Sequence, residues 1–162
     1  MQRMKDWMAA LAIGIAIALV FQNMDNKPNI PDQAPSFSLT DLQGNRLALD
    51  EMRGQTVVVN FWASWCGPCK TEIPDFSRFA QEHPDIAVLG LAVDSGDTSD
   101  VRRSAQRLGI DYTVALADQS TIQSYDISAF PTTIIVGPDG DVAHIQVGAM
   151  TYQDLTRRTS SL

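Results

Sequence analysis

A chain of 162 residues with a formal net charge of -7 is strongly acidic, which argues against nucleic acid as a partner, and it holds only two cysteines. Once an apolar N-terminal run and a proline-bearing stretch are set apart, about 128 residues remain, enough for one sizeable core and too few for two domains. No internal repeat or low-complexity tract is present.

The chain opens with Arg3 and Lys5 and then runs from Trp7 to Phe21 without a charge. As a helix that run spans about 22 Å, short of a bilayer's hydrocarbon core, so Gln22 and its neighbours must help complete a crossing. Ala16-Ile17-Ala18 offers small residues for cleavage, but Leu19-Val20-Phe21 continues the apolar run where a cleavage site would be polar. Residues 1–22 therefore read as a retained transmembrane signal anchor. A buried soluble helix fits poorly, since the run is apolar on every side and precedes a polar stretch. Arg3 and Lys5 precede the span while Asp25 and Asp32 follow it, which keeps the N-terminus in the cytoplasm and exports the rest. Residues 23–34, carrying Pro28 and Pro31, read as a linker, and 35–162 as the domain.

Phe37 and Leu39 alternate with polar residues, Asp41-Leu42-Gln43-Gly44-Asn45 supplies a turn, and Leu47 and Leu49 resume the alternation, which predicts a β-hairpin. Thr56 to Trp62 is an apolar, β-branched run with the composition of a buried strand. Lys70 to Gln81 places Ile73, Phe76, Phe79 and Ala80 at helical spacing, with a kink expected at Pro74 because proline lacks a backbone donor.

Between that strand and that helix lies Trp65-Cys66-Gly67-Pro68-Cys69. Two intervening residues let the thiols form a small-loop disulfide and break it again. A helix N-terminus presents unpaired N–H groups and the positive end of the helix dipole, so Cys66 suits a thiolate nucleophile. Cys69, one turn further in, suits a shielded resolving thiol. A purely structural disulfide closing so small a loop would stabilise little. A zinc site would need two more ligands, and His83 and His144 show no ligand spacing.

Further along, Ile86 to Val93 reads as a second buried strand, and Asp94 to Asp100 as a polar loop with an N-cap. Val101 to Leu108 reads as a helix stopped at Gly109, Tyr112 to Leu116 as a short strand, and Thr121 to Tyr125 as a short helix. Arg102, Arg103 and Arg107 on one helix read as a solvated face. Thr132 to Val136 and Asp141 to Val147 are strands joined by the turn Gly137-Pro138-Asp139-Gly140, and Thr151 to Ser161 is a final helix. The crossover from strand 56–61 to strand 86–93 completes a mixed sheet with helices on both faces.

Phe61-Trp62-Ala63-Ser64-Trp65-Cys66-Gly67-Pro68-Cys69-Lys70 resembles the active-site segment of thioredoxins. Ala129-Phe130-Pro131-Thr132-Thr133 resembles their cis-proline loop, and Val147-Gly148-Ala149 the glycine turn before their last helix. The resemblance implies an α/β thioredoxin fold. The N-terminal β-hairpin, with Ala34-Pro35-Ser36-Phe37, and the short central insert bearing a strand are similar to the membrane-anchored, extracytoplasmic thioredoxins of the TlpA/ResA group.

Membership of that group implies a thiol-disulfide oxidoreductase whose only redox group is the Cys66–Cys69 couple, with no metal. It implies that Pro131 faces the cysteines, that the Phe130 backbone pairs with an extended substrate, and that Trp65, Gly67 and Pro68 lie beside the reactive sulfur. Trp62 reads as ordinary core. Cytoplasmic thioredoxin has a buried aspartate six positions before its first cysteine, and here that position is Asn60, which cannot accept a proton. Glu72, three residues after Cys69 on the same helical face, is therefore the candidate for deprotonating Cys69, as a glutamate is in the TlpA/ResA group. Gly67 departs from ResA-like members, which carry glutamate there, and Ile127-Ser128-Ala129-Phe130-Pro131-Thr132 replaces the glycine-rich segment of CcmG-type proteins.

The implied partners are disulfides in exported proteins at a bacterial membrane, above all the Cys-x-x-Cys-His haem site of apocytochrome c, or the cysteine ligands of copper-assembly proteins. The implied electron donor is a membrane thiol transporter of the CcdA or DsbD kind, and the implied state is a monomer. A DsbA-like oxidase would carry a larger helical insert, and a peroxiredoxin would show Pro-x-x-x-Thr-x-x-Cys. A non-catalytic copper-binding module using the two sulfurs as soft ligands is the reading from a different class.

Overall fold

Residues 28–93 and 95–162 are described in a computed structural model of the chain. The anchor expected over 1–22, and the linker before Pro28, lie outside the described residues. Among those described, no helix is long and apolar enough to cross a membrane.

In chain order the elements are strands β1 (Ser38–Thr40) and β2 (Arg46–Ala48), a 3-10 turn over Leu49–Met52, strand β3 (Val57–Trp62), helix α1 (Gly67–Glu82) and strand β4 (Ala87–Ala92). Helix α2 (Thr98–Leu108), strand β5 (Thr113–Leu116), helix α3 (Gln119–Ser124), strands β6 (Thr132–Val136) and β7 (Val142–Val147) and helix α4 (Tyr152–Thr159) follow. β1 and β2 form the expected antiparallel hairpin, with Leu39 opposite Leu47. The other strands form a five-stranded sheet in the order β5-β4-β3-β6-β7, parallel from β3 through β4 to β5 and antiparallel from β3 through β6 to β7.

β3 is buried along its whole length because both of its faces are covered. Alternation sends Val58, Asn60 and Trp62 to one face and Val57, Val59 and Phe61 to the other. On the first face Val58 packs with Phe76, Phe79 and Leu155, and Trp62 packs with Val101, Ala105 and the two cysteines, so α1, α2 and α4 all lie there. On the second face Val59 and Phe61 join Phe37, Leu39, Leu47 and Tyr125, so the hairpin and α3 form the cover. The helices are thus unequally shared between the faces, with the N-terminal hairpin substituting for helices on the second.

Gly90 shows how tightly the first face is packed. A Cβ there would lie 2.9 Å from Tyr112 Cε2 and 3.1 Å from Trp62 Nε1, so the two aromatic rings occupy the space that a side chain would need.

Several boundaries are refined by the structure. α1 starts at Gly67, ahead of the apolar spacing that begins after Lys70, with Cys66 as its N-cap at the helix N-terminus as expected, and it continues through Pro74 as one helix. α2 begins at Thr98 rather than Val101. Asp97 caps it by accepting from the Ser99 and Asp100 N–H groups, and the Asp100 side chain accepts from the Asp97 N–H, so Thr98–Asp100, at the end of the polar run, form the first turn of the helix. It ends at Gly109, whose φ of 67° suits glycine. From Pro28 onward, the stretch read as linker is held against the domain. Asn29 N–H donates to Asp126, Val142 N–H to the Asp32 carbonyl and Ala34 N–H to the Gly140 carbonyl, while Ile30 packs on the core.

The three arginines of α2 fit a solvated face. Arg102 donates to the Leu42 carbonyl, Arg103 pairs with Asp100 and Arg107 donates to Ser104 Oγ.

Candidate active site

The chain leaves β3 at Trp62, turns and enters α1 through Cys66. Cys66 and Cys69 are joined by a disulfide, so the structure is the oxidised form. As N-cap, Cys66 Sγ accepts the backbone N–H of Cys69 at 3.2 Å. That donor and the helix dipole would both stabilise a thiolate on Cys66 once the bond is reduced. Cys66 is 5% exposed and Cys69 is 0% exposed, so an incoming molecule meets Cys66 first.

Around Cys66 the surface is apolar and open. Trp65 is 58% exposed and meets the Phe130 ring edge-on, centroids 5.8 Å apart. Phe130 packs against the cluster that contains both cysteines, and the Phe130–Pro131 peptide bond is cis. β6 begins at Thr132 opposite Phe61, which sets the cis-proline loop beside the end of β3 that leads to Cys66. The Pro131 carbonyl accepts from Gly148 N–H at 2.8 Å, tying this loop to the turn before α4. Gly67 and Pro68 are exposed in the first turn of α1, and a Cβ at Gly67 would meet nothing within 4 Å. Trp62 is fully buried, as core.

Glu72 lies one turn beyond Cys69 on α1 and is 2% exposed. Its helix turns it inward, towards the sheet, and away from the solvent that a surface carboxylate would need. Oε1 accepts from Asn60 Nδ2 at 2.8 Å and Oε2 from the Met150 backbone N–H at 3.0 Å. Burial pushes its carboxyl up to about 7, against the two donors, which favour the ionised form. The Tyr112 hydroxyl is pushed up by burial first and by the Glu72 and Asp111 charges after it.

The sequence marked Asn60 only as the place where thioredoxin's buried aspartate is missing and Thr133 only as part of the cis-proline segment; that Asn60, Thr133 and Met150 join Glu72 in one hydrogen-bonded group was not identified from it. The signal for the Asn60 contact was a single polar side chain inside the otherwise apolar run of β3; Met150 gave none.

A dithiol–disulfide couple at the mouth of a thioredoxin fold, with an apolar shelf beside the outer sulfur, defines the class of thiol–disulfide redox proteins. The AhpC/TSA family matches residues 30–145 of the chain. The thiol-disulfide oxidoreductase ResA of Geobacillus kaustophilus is 32% identical over 93% of this chain and 88% of its own length. ResA of Bacillus subtilis is 34% identical over 73% of this chain and 67% of its own. The crystal structure of a thioredoxin-family thiol:disulfide interchange protein from Chlorobium tepidum TLS superposes with a TM-score of 0.74 at 28% identity, covering 81% of this chain and 95% of that one. The chain belongs to the AhpC/TSA family, within the group of ResA thiol-disulfide oxidoreductases.

Proposed function

We propose that this protein is a thiol-disulfide oxidoreductase that reduces disulfides in exported proteins, held at a bacterial membrane by residues 1–22 and fed with electrons by a membrane thiol transporter of the CcdA or DsbD kind. The observation that carries the reading is the asymmetry of the pair: Cys66 at the helix N-terminus beside exposed Trp65, and Cys69 sealed beneath it.

The Cys66 thiolate attacks one sulfur of a substrate disulfide, forming a mixed disulfide and expelling the other sulfur as a thiolate. Cys69 gives its proton to Glu72 and attacks Cys66 Sγ, closing the protein disulfide and expelling the second substrate thiolate. Two electrons pass to the substrate, whose thiolates take protons from water. A dithiol donor then restores the reduced protein. A substrate consistent with this chemistry is the Cys-x-x-Cys-His segment of apocytochrome c, whose thiols must be free before haem is attached.

The direction is tested by the reduction potential of the Cys66/Cys69 couple, equilibrated against glutathione or dithiothreitol and read by thiol alkylation. A value near about -270 mV supports a reductase, and one near about -120 mV makes the pair an oxidant and overturns the direction. The role of Glu72 is tested by Glu72→Gln. Resolution of the mixed disulfide is expected to slow by about 100-fold at neutral pH and to lose its inflection near 7. An unchanged pH profile removes Glu72 from the proton step.

A further inference from the structure

Asn60 sits in the middle of β3, 1% exposed, with its side chain on the face that α1 covers. The exchange of sulfurs requires no amide at this point, and an apolar residue would continue the strand's pattern. Both hydrogens of its Nδ2 are nonetheless used, one on Glu72 Oε1 at 2.8 Å and one on Thr133 Oγ1 at 3.0 Å. We propose that Asn60, braced by Thr133, is a positioning residue that holds the Glu72 carboxylate in place and sets the pH at which Glu72 takes a proton.

The register of the sheet makes the brace rigid. Asn60 lies directly opposite Thr133 across the β3–β6 pair, so the threonine oxygen is a fixed acceptor beside the amide. Turning the amide over would set its carbonyl oxygen against the carboxylate. Met150 N–H holds the other oxygen from the turn before α4, so Glu72 is gripped from β3 and from the α4 side by one neutral donor each.

Both donors favour the ionised carboxylate in a site whose burial opposes it, so losing either raises the affinity for a proton. Among the described residues, the ionisable groups that face Glu72 are few. Tyr112, at the edge of β5, feels its charge, and Cys69 precedes it by one turn of α1 with Cys66 beyond. β6 contributes the uncharged Thr133, and the α4 side a backbone N–H. The amide is therefore the main polar control on this carboxylate from the sheet.

The inference rests on the proton role proposed for Glu72, but its test does not. In the oxidised full chain, where the cysteines do not titrate, the Glu72 side-chain carboxyl resonance is followed by NMR against pH and assigned with Glu72→Gln. Asn60→Ala is expected to move its midpoint up by about one pH unit. Thr133→Val, which swaps a hydroxyl for a methyl of similar shape and leaves Asn60 in place, is expected to move it the same way by less. Asn60→Asp sets two carboxylates within hydrogen-bond distance, and the pair is expected to keep one proton to higher pH still. The inflection in the exchange rate of the reduced protein should follow these midpoints, and Asn60→Ala should add no shift in a Glu72→Gln background.

A midpoint unmoved by both Asn60→Ala and Thr133→Val overturns the inference. A rate shift that persists in the Glu72→Gln background overturns it also, since Asn60 would then act on something else. If the midpoint moves as expected while Glu72→Gln leaves exchange intact, the proton step proposed for Glu72 falls and the positioning by Asn60 stands.

Discussion

Cys69→Ser, reduced and then mixed with an oxidised protein substrate, is expected to accumulate as a covalent mixed disulfide through Cys66, whereas Cys66→Ser accumulates none. Turnover in either variant is expected to fall to the uncatalysed background. The difference follows from access and from charge. Cys66 caps α1, where the Cys69 N–H and the helix dipole lower the cost of a thiolate, and it borders the shelf formed by Trp65 and Phe130. Cys69 is fully buried among apolar side chains and is bonded to Cys66, so a substrate meets Cys66 first. With Cys69 replaced, the adduct has no internal thiol to release it and persists until an external thiol arrives. Non-reducing electrophoresis and mass spectrometry of the adduct read the result. An adduct on Cys69 in the Cys66→Ser variant would reverse the two roles.

The oxidised protein is expected to lose about 3 kcal/mol of stability through Glu72 alone as pH rises from below 4.5 to well above 7. Burial lifts the Glu72 carboxyl from 4.5 to about 7, so the folded state prefers its neutral form. Its contribution is full below 4.5 and is lost as pH rises through 7. Several other carboxylates work in the opposite sense. Hydrogen bonds, first those from Ser99, Thr121 and Thr151, hold Asp97, Asp118 and Asp154 below the usual range, so their stabilisation is lost only in acid. The two windows are separate, and chemical unfolding at pH 5 and pH 9 resolves the upper one. Glu72→Gln should flatten the curve there, and an identical slope in wild type and variant would show that Glu72 is not buried as its partners indicate.

The redox pair was legible in the sequence because everything that defines it is local. A β-branched apolar run ends at Trp62, two cysteines follow at the spacing of a small-loop disulfide, and an amphipathic helix begins at once. The hairpin, the strand order up to the crossover and the burial of Trp62 were legible for the same reason, since alternation over a few residues identifies a strand and its buried face. Helix starts were less legible. Thr98 to Asp100 and Gly67 to Cys69 lack the apolar spacing that marks a helix, and caps formed by Asp97 and Cys66 bring them in.

What only the tertiary structure decided was the surroundings of the sulfurs. Spacing put Glu72 on the same helical face as Cys69, but a carboxylate there could equally have faced water. The Asn60–Thr133 and Glu72–Met150 hydrogen bonds join residues 73 and 78 positions apart, and they exist because β6 pairs with β3 in one register and the turn before α4 closes over α1. Trp65 and Phe130 likewise meet across the site only through the order of the strands. A linear sequence specifies which groups can donate, accept or ionise; burial and long-range register, set by the whole core at once, decide which of them meet and at what pH they change charge.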